Sequence, residues 1–411
     1  MEQGTLSTSQ VSLDYDVAIV GGGIIGLTFA AALKDSGLKI AIIEAQPESV
    51  AVAKGRAYVI SLLSGRIFQG LGIWERILPQ ITQFKQIQIS DADFKGIVKC
   101  HPEDLGTDNL GYAAEHRVLL SALQECLNDS PNVSWLCPAE VVVADYQPDC
   151  VELEVKGVRS KIRTRLLVAA DGARSRIRSA AGINTQGWAY WQSCVVATIK
   201  PEKPHNNIAY ERFWSSGPMG VLPLPGNRCQ VVWTAPHAEA KALSELEETE
   251  FLAELERRTG GLLGHLQLES PRYVFPVQLM QSDRYSLHRL ALIGDAAHSC
   301  HPVAGQGMNL GIRDAATLAQ VLQTAYAKGE DIGDLRVLKR YEGWRKLENL
   351  TILGFTDFLD RMFSNSWLPA IALRRLGLGI LQQVPLVKTY ALQLMTGLRG
   401  RLPELSLLKN G

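Results

Sequence analysis

The sequence lacks an excess of either charge and any closely spaced pair of cysteines. Its 42 Lys and Arg residues equal its 42 Asp and Glu residues, so no overall field favours a nucleic acid or a strongly acidic partner. The seven cysteines include no C-x-x-C pair, and an odd number in a large chain indicates reduced thiols in a reducing compartment. The composition therefore argues against a nucleic-acid partner and against a zinc site.

Long apolar runs are also absent. No stretch reaches the roughly 20 apolar residues that a membrane-spanning helix needs. Residues Met1 to Ser12 are polar and have neither a basic segment nor an apolar core, so no secretory signal or Arg-rich transit peptide is expected. We expect a cytoplasmic protein, and 411 residues are enough for two or three domains of roughly 150 residues each.

A strand, a glycine turn, a helix and a second strand are predicted near the N-terminus. The apolar run of residues 15–20 is followed directly by Gly21-Gly22-Gly23-Ile24-Ile25-Gly26, which fits G-x-G-x-x-G. In this pattern Gly23 lets the backbone approach a pyrophosphate, and Gly26 lets the helix pack closely on the strand. Glu44 ends the second strand at the spacing where a carboxylate binds ribose hydroxyls. The segment predicts a dinucleotide site and leaves FAD and NAD open.

Two arginines and a polar turn are further candidates for this site. Arg56 follows the ribose-binding strand, where it either contacts the cofactor or is an ordinary surface arginine at a helix start. Arg117 begins a helix predicted to run to about Leu127, near a phosphate or the flavin edge. The turn that starts at Asp171 follows a buried strand, a position where polar side chains line the crevice of α/β sheets.

A second glycine-rich segment favours FAD over NAD. The buried strand of residues 290–293 ends in Gly294-Asp295, and the glycine-rich run of residues 301–311 precedes a helix predicted to reach about Tyr326. Asp295 is placed to bind hydroxyls of the ribityl chain, which FAD has and NAD lacks. The backbone amides of the glycine run are placed to stabilise negative charge on reduced flavin. His298 and His301 have no third ligand nearby, so a catalytic zinc is not predicted.

The predicted fold class is α/β (α+β), with a Rossmann-like FAD-binding domain containing a parallel sheet. A second, mixed or antiparallel β-sheet forms the substrate domain, because residues 188–277 contain short strands separated by proline and glycine. Helices form the C-terminal region. The predicted boundaries are 14–75, 104–185 and 278–345 for the discontinuous FAD-binding domain, 76–103 and 186–277 for the substrate domain, and 346–411 for the helical region. Five aromatic side chains are interpreted as lining an apolar cavity or, alternatively, as core: Trp188, Trp191, Phe213, Trp214 and Trp233.

The order of these motifs resembles the para-hydroxybenzoate hydroxylase-like flavoprotein monooxygenases. A closer similarity, to the ubiquinone-biosynthesis hydroxylase branch, is carried by Tyr112 to Leu120 with Glu115-His116-Arg117, Asp171-Gly172-Ala173-Arg174-Ser175, Glu211-Arg212-Phe213, Gly217-Pro218 and Gly294 to Gly311. The chain departs from that pattern at Gly55, where many relatives carry an acid, and at His116, where relatives often have Asn.

The resemblance implies a class A aromatic hydroxylase with noncovalent FAD. The flavin is reduced by NAD(P)H docking transiently or by another electron donor, reacts with O2 to a C4a-hydroperoxide, and delivers one oxygen atom to the ring of a prenylated phenol in ubiquinone- or plastoquinone-type synthesis. No general base is assigned. The implied cofactor contacts are Gly21, Gly23, Ile24, Ile25, Gly26, Glu44, Ala45, Arg56, Arg117, Asp171, Asp295, Pro302, Gly305, Gly307, Met308 and Asn309.

Two other functions stay open within the same fold. One is a flavin-dependent prenyl reductase of the geranylgeranyl type, which would consume no oxygen. The other is a non-catalytic flavin-binding subunit of a biosynthetic complex. A flavin halogenase is disfavoured, since the W-x-W-x-I-P signature is absent.

The C-terminal tail carries its own prediction. Residues 366–411 contain six basic residues and one acid, interleaved with leucine and isoleucine. This combination indicates a peripheral contact with an anionic membrane or with a biosynthetic complex. The alternative is that the helices cap the FAD-binding domain and bury their leucines there.

Overall fold

A computed structural model describes residues 12–47, 55–92, 96–365 and 367–407. Most of the polar N-terminal segment lies outside the described residues, as do Ser366 and Lys409 of the basic tail. Within the described ranges the strands are β1 (Tyr15–Val20), β2 (Ile40–Ile43), β3 (Ala57–Ile60), β4 (Thr82–Phe84), β5 (Gln86–Asp91), β6 (Ile97–Cys100), β7 (Gly111–Glu115), β8 (Val133–Leu136), β9 (Glu140–Tyr146), β10 (Val151–Lys156), β11 (Ile162–Ala169), β12 (Thr185–Pro201), β13 (Ile208–Phe213), β14 (Met219–Leu224), β15 (Arg228–Pro236), β16 (Leu266–Leu268), β17 (Tyr273–Ser282), β18 (Ser286–Leu287), β19 (Leu290–Leu292) and β20 (His298–Ser299).

Helices cover the faces of the first sheet and form the C-terminal region. The α-helices of the described ranges are α1 (Ile24–Leu33), α2 (Leu62–Gly70), α3 (Trp74–Ile77), α4 (His116–Asn128), α5 (Arg176–Ala180), α6 (His237–Glu245), α7 (Glu248–Thr259), α8 (Gln306–Ala327), α9 (Leu335–Phe363), α10 (Leu368–Gln383) and α11 (Pro385–Thr396). Short 3₁₀ turns lie at Leu78–Gln80, Pro102–Asp104, Gly294–Ala296, Val303–Gly305 and Glu404–Ser406.

The first sheet is built around β1. Its main order is β18-β19-β11-β1-β2-β8, and β1 pairs in parallel with both β2 and β11. Val17, Ala18 and Ile19 have no exposed surface, as expected for a strand covered on both faces. α1 packs against α4 and α8. The carboxyl ends of β1, β2, β11 and β19 therefore meet at one edge, where the glycine turn and Asp295 lie.

The second sheet is mixed. Its main order is β20-β17-β12-β15-β14-β13-β5-β6, with β16 paired to β12. Polar and apolar residues alternate over Lys85–Ser90, which predicts a half-exposed antiparallel strand. The structure has β5 there, antiparallel to β6 but parallel to β13. Alternating exposure fixes which side chains face the core and leaves the direction of the neighbouring strand undetermined. A small third sheet has the strand order β3-β7-β4.

The predicted fold class is confirmed, including the parallel sheet, the mixed sheet and the C-terminal helices. The domain boundaries stay a prediction. Local ends differ by a few residues: the sequence predicts a helix from about Ile24 to Ser36, before Gly37, whereas α1 stops at Leu33. The hydroxyl of Ser36 donates to the carbonyl of Leu33 at 2.6 Å, which competes with a further helical turn.

The C-terminal helices differ from the capping interpretation. In α10 only Ala370, Arg374 and Leu378 are buried, whereas many apolar side chains of α10 and α11 are exposed. Among the basic residues of the tail, Arg374 is buried, whereas Arg399 and Arg401 are exposed. Arg374 pairs with Asp91 at 2.6 Å, since the sheet edge supplies a carboxylate where the helix crosses it.

Candidate cofactor and substrate site

The turn between β1 and α1 has the geometry that the glycine motif predicts. Gly21 has φ +114°, and a Cβ there would overlap the carbonyl of Ala170. A Cβ on Gly26 would overlap the carbonyl of Gly21, so the helix reaches the strand only with glycine at this position. At Gly23 an added Cβ would meet no atom within 4 Å, and no side chain caps the helix. The first amides of α1 thus face open space, which suits an anionic pyrophosphate.

Glu44 lies beside this turn at the end of β2. Its two carboxylate oxygens accept hydrogen bonds from the backbone N–H groups of Gly22 and Gln46, each at 2.7 Å. These bonds fix the carboxylate at the carboxyl end of a parallel strand, next to the phosphate turn. The neighbouring Ala45 is exposed. This is the edge where a ribose is expected, and both contacts stay predictions.

Asp295 faces the interior cavity from the 3₁₀ turn after β19. Protein atoms surround the Asp295 side chain on most sides. The part of the side chain that stays accessible to solvent lies on the cavity wall. Burial raises the pKa of its carboxyl above the ordinary value. No hydrogen bond or ion pair joins it to another described residue. An unpartnered, enclosed carboxyl of this kind fits a ligand that carries hydroxyl groups.

A buried ionic network, which the sequence analysis missed, holds the Asp295 turn. Asp314 of α8 lies 2.6 Å from the Nε2 of His298 and accepts from the Nε of Arg345 at 2.8 Å. It also accepts from the backbone N–H of Gly294 at 3.1 Å. Burial alone raises the pKa of Asp314, but His298 and Arg345 outweigh it and lower the pKa to about 2. The carboxylate therefore stays charged and ties α8 and α9 to the turn.

The segment before α8 forms another part of the wall. Pro302, Gly305, Gly307 and Met308 line the cavity, and α8 starts without a side-chain cap. Asn309 does not line it. The side-chain amide of Asn309 donates to the carbonyls of Val59 and Gly305, each at 2.9 Å, and its oxygen accepts at 2.8 Å from the N–H of Ser61 and from the hydroxyl of Ser64.

Since Asn309 has all its bonds to protein, the structure makes it a positioning residue. It joins β3 and the start of α2 to the glycine segment. A direct contact between Asn309 and the cofactor would have to replace one of these four bonds.

The two predicted arginines have different environments. Arg56 lines the cavity, and its guanidinium lies 4.8 Å from the centroid of the Phe275 ring. The side chain of Arg117 is 60% exposed, pairs with Glu115 at 3.1 Å and does not reach the wall. The preceding residue does: His116 lines the cavity, and its Nδ1 lies 3.1 Å from the hydroxyl of Tyr58. Because α4 begins one residue earlier than predicted, its first side chain faces inward and the second faces solvent.

Asp171 is also set back from the cavity. Its carboxylate accepts from the backbone N–H of Arg176 at 2.9 Å, at the start of α5. Gly172 reaches the cavity wall instead. The other oxygen of Asp171 is buried without a hydrogen-bond partner among the described residues. In this geometry Asp171 shapes the turn rather than the wall.

One cavity of ≈ 1010 Å³ joins these cofactor-side segments to the second sheet and the C-terminal helices. That volume lies at the upper end of the roughly 300–1,000 Å³ typical of ligand pockets. The first turn of α1 contributes Ile24 and Ile25. The opposite wall is mostly apolar and includes Phe213, Leu222, Phe355, Leu359, Met362, Leu376, Ile380 and Leu394.

Four of the five aromatic side chains proposed for this wall lie elsewhere. Trp188 and Trp191 are exposed, and Trp233 is fully buried in the core of the second sheet. Trp214 packs under the guanidinium of Arg258, 4.8 Å from the ring centroid. Only Phe213 of the five lines the cavity. The cavity interpretation is therefore wrong for the other four, whereas the alternative interpretation as core is confirmed for Trp233. Helices from the last 60 or so residues supply much of the apolar wall instead.

The histidines near the glycine segment have separate partners. His301 is buried and lies 3.4 Å from Asp360, and burial lowers its pKa to about 3. Across the part of the chain that the structure describes, no group of three or more His, Cys, Asp or Glu side chains could hold a metal ion. Burial also raises the pKa of the Cys300 thiol to about 12, so this thiol stays protonated and is a poor nucleophile.

Comparison with known proteins identifies the family. A family profile described as an FAD binding domain matches residues 14–347. Ubiquinone hydroxylase UbiL of Rhodospirillum rubrum is 37% identical over 372 residues, covering 90% of this chain and 86% of that protein. The chain belongs to the family of FAD-dependent aromatic hydroxylases. The resemblance deduced from the motifs is thereby confirmed, as is FAD as the cofactor of this hydroxylase.

Two further comparisons cover most of the chain. The uncharacterized protein slr1300 of Synechocystis sp. is 57% identical over 394 residues, covering 95% of each chain. The crystal structure of p-nitrophenol 4-monooxygenase PnpA from Pseudomonas putida DLL-E4 superposes with a TM-score of 0.80 at 21% identity, covering 94% of this chain and 98% of that one. The latter likeness is one of fold.

The residues of this hydroxylase fit FAD on three observations. The amides of α1 face open space at Gly23, the carboxyl of Asp295 faces the cavity without a partner, and the uncapped start of α8 lies on the same cavity. These groups match the pyrophosphate, the ribityl hydroxyls and the negative charge of reduced flavin. The assignment of each individual contact stays a prediction.

Proposed function

We propose that this hydroxylase adds one oxygen atom to the ring of a prenylated phenol, a membrane-borne precursor of a ubiquinone- or plastoquinone-type quinone. One observation carries the proposal: a single cavity extends from the cofactor segments to an apolar wall made by the C-terminal helices. The ubiquinone hydroxylase relative supports the same substrate class. The phenol ring would lie near the start of α8, and the isoprenoid chain along the helices.

The apolar wall suits an isoprenoid chain. Each CH₂ group moved from water to such a surface contributes about 0.8 kcal/mol. Two cations on this wall have carboxylate partners: Arg374 pairs with Asp91 at 2.6 Å and Lys388 with Asp104 at 2.9 Å. The wall therefore combines apolar surface with neutralised charge, which favours a hydrocarbon over a polar chain.

The chain's own groups hold, orient and shield the reactants. Bound FAD supplies the chemistry that activates O2 with two electrons from NAD(P)H or another donor. Overall, a ring C–H becomes C–OH, and the second oxygen atom leaves as water. The amides of α1 and the carboxyl of Asp295 hold the cofactor, while the N-terminal amides of α8 stabilise negative charge beside it.

We further propose that α10 and α11 rest on the surface of a lipid bilayer. Leu368 and Leu386 are 78% and 84% exposed, and contiguous exposed apolar surface marks a membrane or protein contact. Five apolar or aromatic residues of these helices, Leu373, Leu376, Ile380, Val387 and Tyr390, are exposed and also line the cavity. This continuity favours a bilayer, because a prenylated phenol could pass from lipid to the cavity without crossing water.

The helix pair does not by itself indicate a transmembrane protein. No single helix in the described ranges has the length and apolar composition to cross a bilayer. α10 and α11 pass that test only together, and they are bent by 99° relative to each other. We therefore propose a peripheral contact made mainly by apolar side chains. The basic residues contribute less to membrane binding than the sequence indicates.

Labelled oxygen tests the reaction. Purified protein is incubated with FAD, NAD(P)H, a short-chain prenylated phenol and ¹⁸O2, and the product is analysed by mass spectrometry. We expect one ¹⁸O atom on the ring. If the newly added oxygen atom is unlabelled, the oxygen comes from water and the hydroxylase function is rejected. A product whose prenyl chain has gained hydrogen would instead indicate a prenyl reductase.

Vesicle cosedimentation tests the membrane contact. A Leu368→Glu/Leu386→Glu variant should lose binding to phospholipid vesicles while keeping FAD and activity on a short-chain phenol. Val142→Glu is the matched control, since Val142 is 65% exposed on β9 of the first sheet. If the wild-type protein ignores vesicles, or the double variant binds as well as wild type, α10 and α11 are a protein contact or a bare surface.

A further inference from the structure

Glu211 is a carboxyl group on the substrate side of the cavity. It lies on β13, in register with Gly220 of β14 and Ile89 of β5. Neither neighbour brings a polar side chain toward it, and a Cβ added at Gly220 would lie 3.7 Å from the Oε2 of Glu211. Glu211 lines the cavity together with the segment that precedes α8.

The carboxyl of Glu211 touches the cofactor side as well. The backbone N–H of Ala304 donates a hydrogen bond to it, one residue before Gly305. Ala304 has φ 61°, so the loop is held in an unusual conformation at this contact. No side chain among the described residues forms a hydrogen bond or an ion pair with Glu211. The group thus bridges the substrate wall and the cofactor loop, with its other oxygen free for a ligand.

The surroundings of Glu211 favour proton transfer near neutral pH. Burial raises the pKa of its carboxyl to about 7, although the hydrogen bond from Ala304 acts in the opposite direction. The facing groups on β5, β14 and the loop are Ile89, Gly220 and the backbone of Ala304, none of them charged. From β12 the titratable neighbour is Cys194, whose buried thiol has its pKa raised to about 12. A base works best with a pKa near the working pH.

Tyr58 and Asp295, which also line the cavity, suit this role less well. Tyr58 is buried and its pKa is raised to about 12, so it keeps its proton. Asp295 lies on the cofactor side, where the ribityl hydroxyls are expected. A phenol in water has a pKa of about 10, so a base is needed to make its phenolate at neutral pH.

We propose that Glu211 is the catalytic base that removes the proton from the ring hydroxyl of the substrate. The O–H bond breaks, the proton moves to a carboxylate oxygen of Glu211, and the electron pair stays on the phenolate oxygen. The ring becomes more electron-rich at the ortho and para carbons, where oxygen is added. The attacked carbon then releases its proton, which ends in the water formed from the second oxygen atom, as the ring regains aromaticity, and the proton on Glu211 returns to the phenolate oxygen. This inference rests on the proposed function.

The test compares Glu211→Gln and Glu211→Asp holoenzymes with wild type on a short-chain prenylated phenol. Glu211→Gln keeps the shape and loses the base, so we expect kcat to fall about 100-fold or more with FAD content unchanged. Wild-type kcat should fall as the pH drops through about 7, because the carboxylate is then protonated. Glu211→Asp should keep this acidic limb, and Glu211→Gln should lack it.

A second substrate separates proton removal from positioning. A ring-fluorinated phenol loses its proton more readily, so the ratio of wild-type to Glu211→Gln kcat should shrink with it. Glu245→Gln is the control, since Glu245 is an exposed carboxylate on α6 that pairs with Lys241 at 3.9 Å. Equal kcat and pH profiles for Glu211→Gln and Glu211→Asp would overturn the assignment. Failure of wild type to hydroxylate any phenol would instead reject the proposed function.

Discussion

Replacing Asp314 by asparagine should destabilise the protein and loosen its hold on FAD together. Asp314 has no exposed surface and accepts hydrogen bonds from Arg345 and from the backbone of Gly294, beside Asp295. Asparagine has nearly the same shape but no charge. The change therefore leaves the buried guanidinium of Arg345 without its main counter-charge and weakens the support of the Asp295 turn.

The size of the effect follows from burial. Arg345 is 1% exposed in its side chain and Asp314 is not exposed at all. Removing one partner of a buried pair costs about 3–5 kcal/mol when the remaining charge is left without a counter-charge. Arg345 also pairs with Glu348, so we expect a loss near the lower end of this range. An exposed pair is worth about 0–1 kcal/mol. The pair of Arg76 with Glu125, both more than half exposed, supplies the matched control Glu125→Gln.

Guanidinium unfolding followed by tryptophan fluorescence measures the first effect, and FAD titration the second. We expect Asp314→Asn to unfold at a clearly lower midpoint and to bind FAD more weakly, with Glu125→Gln near wild type. The lowered pKa of Asp314 also gives a sign for pH: its stabilisation is complete above about pH 4 and is lost as the pH falls through about 2. If the Asp314→Asn protein has the unfolding midpoint and the FAD affinity of wild type, Asp314 stabilises neither the fold nor the FAD site.

Three other predictions concern the cofactor and the reaction. Asp295→Ala should lower FAD affinity at least about tenfold, with Asp295→Asn between it and wild type, as measured by the fluorescence of released flavin; full occupancy in the alanine variant would remove Asp295 from the site. Acid precipitation should release intact FAD into the supernatant, because the cofactor is bound noncovalently, and flavin that stays with the pellet would contradict this. Chelators should leave turnover unchanged, since no step of the proposed reaction uses a metal; inhibition that is reversed by adding a metal would show otherwise.

The local parts of the site were predictable from sequence. Gly26 owes its role to a close contact with Gly21 in the same strand–turn–helix unit, Gly23 to its place in that turn, and Asp295 to its place after a buried strand. Such features depend on neighbours in the chain, so their spacing carries the information. The α/β class followed in the same way from buried runs that alternate with helices.

The parts that depend on distant contacts were not predictable. Asp314 and Arg345 are 31 residues apart on two helices. The residue pattern of neither helix indicates that the two side chains are in contact. Glu211 is buried because the second sheet packs against the loop around Ala304, and the sequence does not indicate this contact. Arg117 was chosen over His116 because a shift of one residue at a helix start reverses which side chain faces inward.

The quinone lipids of the host show whether this hydroxylase converts a prenylated phenol. Quinones and their precursors are extracted from cells that lack this protein and from cells that carry it, and both extracts are analysed by mass spectrometry. We expect cells that lack the protein to accumulate a prenylated phenol with one oxygen atom fewer than the next intermediate. Wild-type protein should restore that intermediate. If the cells accumulate a precursor that differs only in the saturation of its prenyl chain, or if their quinones are unchanged, the protein does not hydroxylate a prenylated phenol.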